Sequence, residues 1–340
     1  MIVNTADFLR ILSKLSLKRI TNALTVLISY VFSRLTGSPK SYGMPISLAI
    51  EPTTACNLRC PECPSGLRNF TRPTGKLENP LFQKIIDDVA PFTSYLTFYF
   101  QGEPYLNPSF LEMVRYANKK KIYTATSTNA HFLNDQVAKE TVASGLDRII
   151  ISIDGTTQET YQSYRKSGEL NKVLEGTQNI VKWKKELGKS TPAVVWQFLV
   201  VKPNEHQIED LFEMSKEYAV DKVMLKTAQI YDYEDGNELI PTIEKYARYE
   251  KLDSGKYSIK NQLLNHCWKM WSSCVITWDG KVVPCCFDKD AHYTVGNLQT
   301  TNFQEVWQSE DYRAFRASVL KGRDQIEMCS NCTEGTKVWA

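Results

Sequence analysis

Apolar positions recur along this chain with two different periods. Over residues 5–36 they fall at helical spacing: Phe8, Ile11, Leu12 and Leu15, then Ile20, Leu24, Leu27, Ile28, Val31, Phe32 and Leu35, with lysines and arginines between them. That spacing predicts an amphipathic helical segment, which Gly37-Ser38-Pro39 ends. From residue 46 onward, short apolar runs alternate with helix-periodic stretches. The runs at 46–51, 95–100, 122–127, 148–153, 194–201 and 222–226 predict strands. The stretches at about 79–89, 108–120, 134–144, 171–188 and 204–219 predict helices. Strands that alternate with helices in this way build parallel sheets. Right-handed crossovers curl such an array toward a barrel or part of one. The expected fold class is therefore α/β, a partial (β/α)6 TIM-like barrel preceded by an N-terminal amphipathic helix.

Ligands of such arrays sit at the C-terminal ends of the strands. Four segments fall there: Cys56–Cys63, Gln101-Gly102-Glu103, Ser127-Thr128-Asn129 and Asp154-Gly155. Beyond the array, residues 227–262 are rich in tyrosine and acids and show no period, and residues 263–340 are rich in cysteine and tryptophan. The expected organisation is a helical segment over 1–43, a core over 44–226, a connector over 227–262 and a C-terminal unit over 263–340.

The composition is that of an ordinary globular chain: 42% apolar and 23% charged over 340 residues, with a net charge of only +3. No field for nucleic acid is implied. The charge is uneven, however. Residues 1–40 hold Arg10, Lys14, Lys18, Arg19, Arg34 and Lys40 against Asp7 alone, a balance of +5 that leaves −2 for the rest. A basic amphipathic helix of this kind can lie in a membrane interface, so peripheral contact through residues 1–40 is expected, at the inner face of the membrane. The competing expectation is a helix packed on the core with solvated lysines. The most apolar stretch, Ala23 to Phe32, lacks a nearby cleavage site and is about half the ~20 residues of a spanning helix.

Nine cysteines are an odd and high number, with three at 56–63 and six at 267–332. A disulfide framework belongs to small loop-rich secreted chains, so these read as thiolate–metal sites in a reducing cytoplasm. Cys56, Cys60 and Cys63 are separated by three residues and then two, on a loop after a strand. Soft thiolates select zinc or iron–sulfur clusters. Three thiolates leave one iron of a cubane open for chemistry, whereas a zinc knuckle would need a distant fourth ligand.

That spacing resembles the signature of the radical S-adenosylmethionine (SAM) superfamily. The resemblance implies a [4Fe–4S] cluster on Cys56, Cys60 and Cys63 whose open iron chelates SAM. Reductive cleavage then gives a 5′-deoxyadenosyl radical that abstracts hydrogen from a substrate. Gln101-Gly102-Glu103-Pro104 resembles the family's Gly-Gly-Glu-Pro turn, which implies that Gly102 and Glu103 contact SAM. Ser152-Ile153-Asp154-Gly155 resembles its Ser-Ile-Asp-Gly segment, which implies a contact from Ser152. Arg165 matches an arginine near the carboxylate or ribose, and Val200 ends the strand beside the adenine. Ser127-Thr128-Asn129-Ala130 resembles a Ser-Thr-Asn-Gly turn with Ala130 in place of glycine, and Glu62 stands where many relatives have an aromatic residue.

The second set, Cys267-x12-Gly280-x4-Cys285 with Cys329-x2-Cys332, resembles the SPASM and Twitch group of the same superfamily. Trp278-Asp279-Gly280 reads as a hairpin turn that returns Cys285 to Cys267. The resemblance implies a second, auxiliary [4Fe–4S] cluster on Cys267, Cys285, Cys329 and Cys332. Cys274 and Cys286 are left over as thiols, and zinc remains the alternative for the other four. The expected function is that of a radical SAM enzyme, oxidoreductase-like, that oxidises or otherwise modifies a sugar, lipid-linked or peptide substrate. An electron donor such as flavodoxin or ferredoxin is expected. The alternative is a non-catalytic zinc or iron–sulfur scaffold. No general acid or base is assigned: Asp232, Glu234 and Asp235 lie in the connector.

Overall fold

The computed structural model describes residues 3–260 and 262–332. The chain forms two compact units. The first comprises the described residues of Met1–Leu9, Cys56–Asn69 and Ala125–Asn261, and the second those of Arg10–Ala55, Phe70–Thr124 and Gln262–Ala340.

The helical N-terminus is two helices, α1 (Thr5–Ser13) and α2 (Leu17–Thr36). Ser16 separates them because its hydroxyl caps α2 by accepting from Arg19 N, and Gly37 ends α2 in the left-handed region at φ +68°. The strands that follow are β1 (Ser47–Ile50), β2 (Tyr95–Phe98), β3 (Tyr123–Thr128), β4 (Arg148–Ser152), β5 (Ala193–Val200) and β6 (Lys222–Thr227). The larger intervening helices are Asn79–Val89, Phe110–Lys119, Asp135–Ala143, Leu170–Glu186 and Ile208–Glu217. A further helix, Gln158–Tyr164, has no counterpart in the sequence reading, being too short to show a period.

In the first unit β3, β4, β5 and β6 pair in parallel, with Thr126 opposite Ile149, Ile150 opposite Val195 and Phe198 opposite Leu225. Every residue of β4 is buried, as expected of a parallel strand covered on both faces. Val3 packs against Ile150, Val195 and Met224, and Asp7, fully buried, pairs with Arg148 at the start of β4. The connector is more ordered than its composition suggests: Tyr249–Lys251 (β7) and Tyr257–Ile259 (β8) form an antiparallel pair.

In the second unit β1 pairs in parallel with β2 on one side. On its other side lies β9 (Ser273–Ile276), with Ser47 opposite Ser273. β9 turns through Thr277–Gly280 into β10 (Lys281–Val283), which pairs antiparallel with β9 and with β11 (Gly296–Asn297). The expected hairpin is thus present, and it extends the β1–β2 sheet. Along β1 and β2 the buried positions Leu48, Ile50, Leu96 and Phe98 alternate with partly exposed ones. Among the described residues no helix is long and apolar enough to cross a membrane.

Candidate functional site

The loop that carries the first three cysteines is held by its apolar residue. Leu58 is fully buried and packs with Cys60, Tyr164, Val201, Ala228 and Ile230. Arg59 N donates to Lys166 O at 2.9 Å. Gly66 lies so close to the backbone of Cys60 that a Cβ there would sit 2.6 Å from its N and O, which makes glycine necessary for the tight return. Cys60 is buried, while Cys56 and Cys63 are half-buried.

Polar partners surround these thiols. Leu58 N lies 3.4 Å from Cys56 Sγ, and Asn129 Nδ2 donates to Asn57 Oδ1 at 2.7 Å and sits 4.0 Å from Cys56 Sγ. Arg165 places Nη1 3.8 Å from Cys60 Sγ. Its Nε donates to Asp154, a fully buried carboxylate whose other oxygen accepts from Leu199 N at 2.7 Å. Asn204 Nδ2 in turn donates to Asp154 O at 3.0 Å. Arg165 is therefore aimed by a fixed counter-ion. Burial pushes the Cys60 thiol up, and the Arg165 charge opposes that push.

Sequence reasoning left Asp154 and Asn129 without roles, although both lie in the segments it singled out. The missing signal was the pairing of Asp154 with Arg165 across eleven residues. Ser152 and Val200 are buried at the ends of β4 and β5. Ala130 adopts φ +63°, the left-handed conformation for which glycine is the usual residue. Glu62 accepts from Tyr231 N at 3.0 Å. His131 accepts from Glu169 N at 2.8 Å.

Gly102 and Glu103 belong to the second unit. Gly102 has φ +75°, and a Cβ there would sit 2.1 Å from Thr53 O, so only glycine fits. Glu103 is buried, with its N donating to Ala55 O at 2.7 Å.

The same unit brings Cys267, Cys285, Cys329 and Cys332 around one small pocket, which Lys269, Phe287 and Arg323 complete. The β9–β10 hairpin returns Cys285 toward Cys267, and a one-turn helix, Glu327–Ser330, presents Cys329. Arg323, buried and unremarked in the sequence, lies 3.3 Å from Cys332 Sγ and donates to His266 O at 3.2 Å. Burial pushes the Cys329 thiol up to about 11, with Arg323 opposing. A hydrogen bond with Cys286, then burial, pushes Cys285 well up. Cys274 does not line this pocket; it is buried beside Arg316, and burial raises its thiol strongly.

The donor set suits clusters. Soft thiolates select zinc or iron–sulfur clusters, and three thiolates leave one iron of a cubane open while four saturate it, which matches the three-cysteine loop and the four-cysteine pocket. Arg165 beside the first set and Arg323 beside the second place positive charge where thiolates would gather.

A second, larger cavity of about 240 Å³ opens in the same unit. The outward positions of β1 and β2 line it, Ser47, Ala49, Tyr95 and Thr97, together with Tyr99, Lys269, Cys285 and Cys286.

An α/β fold with parallel strands, a three-cysteine loop and a four-cysteine pocket defines a class, the iron–sulfur enzymes that cleave SAM. The comparisons make this specific. Residues 50–220 match the Radical SAM superfamily, and residues 267–333 match the SPASM iron–sulfur cluster-binding domain. The chain belongs to the radical SAM superfamily. Its Radical SAM domain binds a [4Fe–4S] cluster with SAM, and its SPASM domain binds auxiliary iron–sulfur clusters. The chain is 28% identical, over 84% of its length and 86% of the relative's, to the tungsten-containing aldehyde ferredoxin oxidoreductase cofactor-modifying protein of Pyrococcus furiosus. It is 26% identical, over 85% of its length and 91% of the relative's, to the AdoMet-dependent heme synthase of Methanosarcina barkeri. The crystal structure of Streptococcus suis SuiB bound to S-adenosylmethionine shares its fold, with TM-score 0.62 and 15% identity over 85% of this chain and 71% of that one. The fold is accordingly a partial barrel core with a C-terminal cluster-binding domain, and the chain is an enzyme. The non-catalytic scaffold is not favoured.

Proposed function

We propose that this enzyme abstracts hydrogen from a small group held in the 240 Å³ cavity and oxidises it by two electrons. The observation that carries the reading is that Cys285 lines both that cavity and the four-cysteine pocket. Cys56, Cys60 and Cys63 would hold the first cluster, and Cys267, Cys285, Cys329 and Cys332 the auxiliary one. When bound, the first cluster with SAM would supply the 5′-deoxyadenosyl radical that takes one hydrogen atom, and the auxiliary cluster would supply an acceptor for the second electron, with the remaining proton released to solvent. The chain's own residues bind and orient. Arg165, fixed by Asp154, would meet an anionic part of SAM, with Ser152 and Val200 of the same unit framing it. In the cavity Tyr95 and Tyr99 offer aromatic faces and Lys269 a cation, which suits a substrate bearing a carboxylate, phosphate or similar group. A peptide side chain, a cofactor precursor, a sugar or a lipid-linked sugar could present such a group. A flavodoxin- or ferredoxin-type protein would deliver the electron that starts turnover.

The test is anaerobic incubation of the reduced enzyme with anionic candidates of these classes, reading 5′-deoxyadenosine and product together. A true substrate raises 5′-deoxyadenosine above the uncoupled level in the native enzyme. Lys269→Met, at a position that lines both the cavity and the four-cysteine pocket, should lose that stimulation while keeping full iron and sulfide and uncoupled cleavage. Full stimulation in the variant would remove the cavity from the reaction.

Metal content separates the two sets. With about eight irons expected for two cubanes, Cys329→Ala should lose roughly half, and uncoupled SAM cleavage should survive. Cys274→Ala should keep full iron and sulfide. Loss of a cluster from Cys274→Ala but not from Cys329→Ala would show the ligand set to be wrong.

A further inference from the structure

Helix α2 is amphipathic in the reverse of the usual sense. The face turned into its unit is mostly polar: Arg19, Asn22, Ser29 and Ser33 are buried there, with Val26 and Tyr30 between them. These groups make directed bonds. Asn22 Nδ2 donates to Met44 O and its Oδ1 accepts from Met44 N, both at 2.8 Å. Arg19 donates to Ala90 O at 2.7 Å and to Lys120 O at 3.0 Å. Ser33 Oγ accepts from Lys40 N at 2.9 Å. Tyr30 bonds His266 Nδ1 at 2.9 Å and meets Trp268 and Trp271 edge-on. Rolling α2 to bury its other face would break every one of these contacts.

The other face is apolar and open to solvent. Leu17, Ile20, Leu24, Ile28, Val31 and Leu35 recur at helical spacing along it, and Leu17, Ile28 and Leu35 are 78%, 65% and 82% exposed. Lys18 and Arg34 lie on α2 itself, over the rings of Phe92 and Tyr30. Between Asp7 and Glu51 the sequence contains no acidic residue, while Arg10, Lys14, Lys18, Arg34 and Lys40 lie in that stretch.

We propose that α2 is a membrane-docking element that lies in the interface of an anionic bilayer, apolar stripe down and cations among the headgroups. At 20 residues it is about 30 Å long, and its polar face is committed to the protein, so it would lie along the surface. The charge pattern selects this occupant over a second copy of the chain. Pairing two such faces would bring Lys18 and Arg34 of both copies together, and residues 8–50 supply no carboxylate to answer them, whereas anionic headgroups would. Through Tyr30 the docked helix would hold the cysteine pocket's unit at the surface. The proposal does not depend on the substrate reading.

The test is flotation of the intact cluster-loaded enzyme with vesicles of phosphatidylcholine alone or with phosphatidylglycerol. The expected result is flotation with the anionic vesicles, weakened by salt, and at least a tenfold lower bound fraction with phosphatidylcholine alone. Leu24→Asp/Ile28→Asp should lose binding tenfold or more while keeping iron content and uncoupled SAM cleavage. Leu17→Gln/Leu35→Gln, at the two most exposed positions, provides a milder variant with the same expected direction. Absence of flotation, or equal flotation of native and variant proteins, would overturn the proposal. So would a dimer at micromolar concentration that Ile28→Asp dissociates in protein that ignores vesicles.

Discussion

Replacing Cys60 by alanine should abolish 5′-deoxyadenosine formation and remove about half of the iron, one cubane of two. Cys60 is the buried member of its set, enclosed by Leu58, Tyr164 and Val201 and faced by Arg165. Three thiolates are the fewest that fix a cubane while leaving one iron open, so loss of any one leaves the cluster two protein ligands. The variant also leaves the Arg165 guanidinium without its sulfur, although Asp154 still pairs with it. A folding defect would look different, because the auxiliary iron and the far-ultraviolet circular dichroism should remain. Anaerobic iron and sulfide analysis with chromatography of 5′-deoxyadenosine reads both quantities. Cleavage at the native rate by Cys60→Ala would remove this loop from the chemistry.

Much of the fold was legible because its signals are local. Each core strand is a short apolar run and each large helix has its own period, so the alternation could be read segment by segment. Pairings between distant segments carry no such mark. Nothing in Ser273–Ile276 announces that it lies parallel to β1, because any buried strand with the same pattern would read alike. The β7–β8 pair was missed for a related reason, as its three-residue strands are too short for alternation to show.

The site divides in the same way. Cysteines declare themselves by spacing, and the structure gathers Cys267, Cys285, Cys329 and Cys332 around one pocket. Charged residues do not. Arg165 reads equally as a solvated arginine until Asp154 is found buried against it, and Arg323 carries no motif at all. The apolar stripe of α2 was visible in the sequence, but which way it faced was not. Burial went to the face with Asn22, Ser29 and Ser33, whose hydrogen bonds a hydropathy pattern cannot foresee.

A second large effect is expected at Arg72, nine residues after Cys63. Arg72 and Glu51 form a two-pronged ion pair, Nη1 to Oε2 at 2.8 Å and Nη2 to Oε1 at 2.6 Å. Glu51 is fully buried, directly after β1, and its Oε2 also accepts from Trp278 N at 3.2 Å in the β9–β10 turn. Arg72 in turn donates through Nε to Lys289 O at 3.2 Å. The pair thus ties the end of β1 to the hairpin that carries Cys285. Arg72→Met keeps the volume but strands a carboxylate, and removing one partner of a buried pair costs about 3–5 kcal/mol. For a chain of this size that corresponds to a fall in thermal midpoint of roughly 4–7 °C. The sign of the pH dependence follows from Glu51. Burial already raises its carboxyl above the ordinary value, and Arg72 opposes the rise, so the variant should raise it further. A folded-state value above the unfolded one, about 4.3, means that the native state binds the proton more tightly. The variant should therefore recover stability as pH falls from the raised value toward about 4.3, and Arg72→Met/Glu51→Gln should recover part of it at neutral pH. Anaerobic thermal unfolding followed by circular dichroism measures each case. Equal midpoints for native and Arg72→Met proteins would mean that Glu51 takes up a proton from solvent at little cost, and that the hairpin is held without the ion pair.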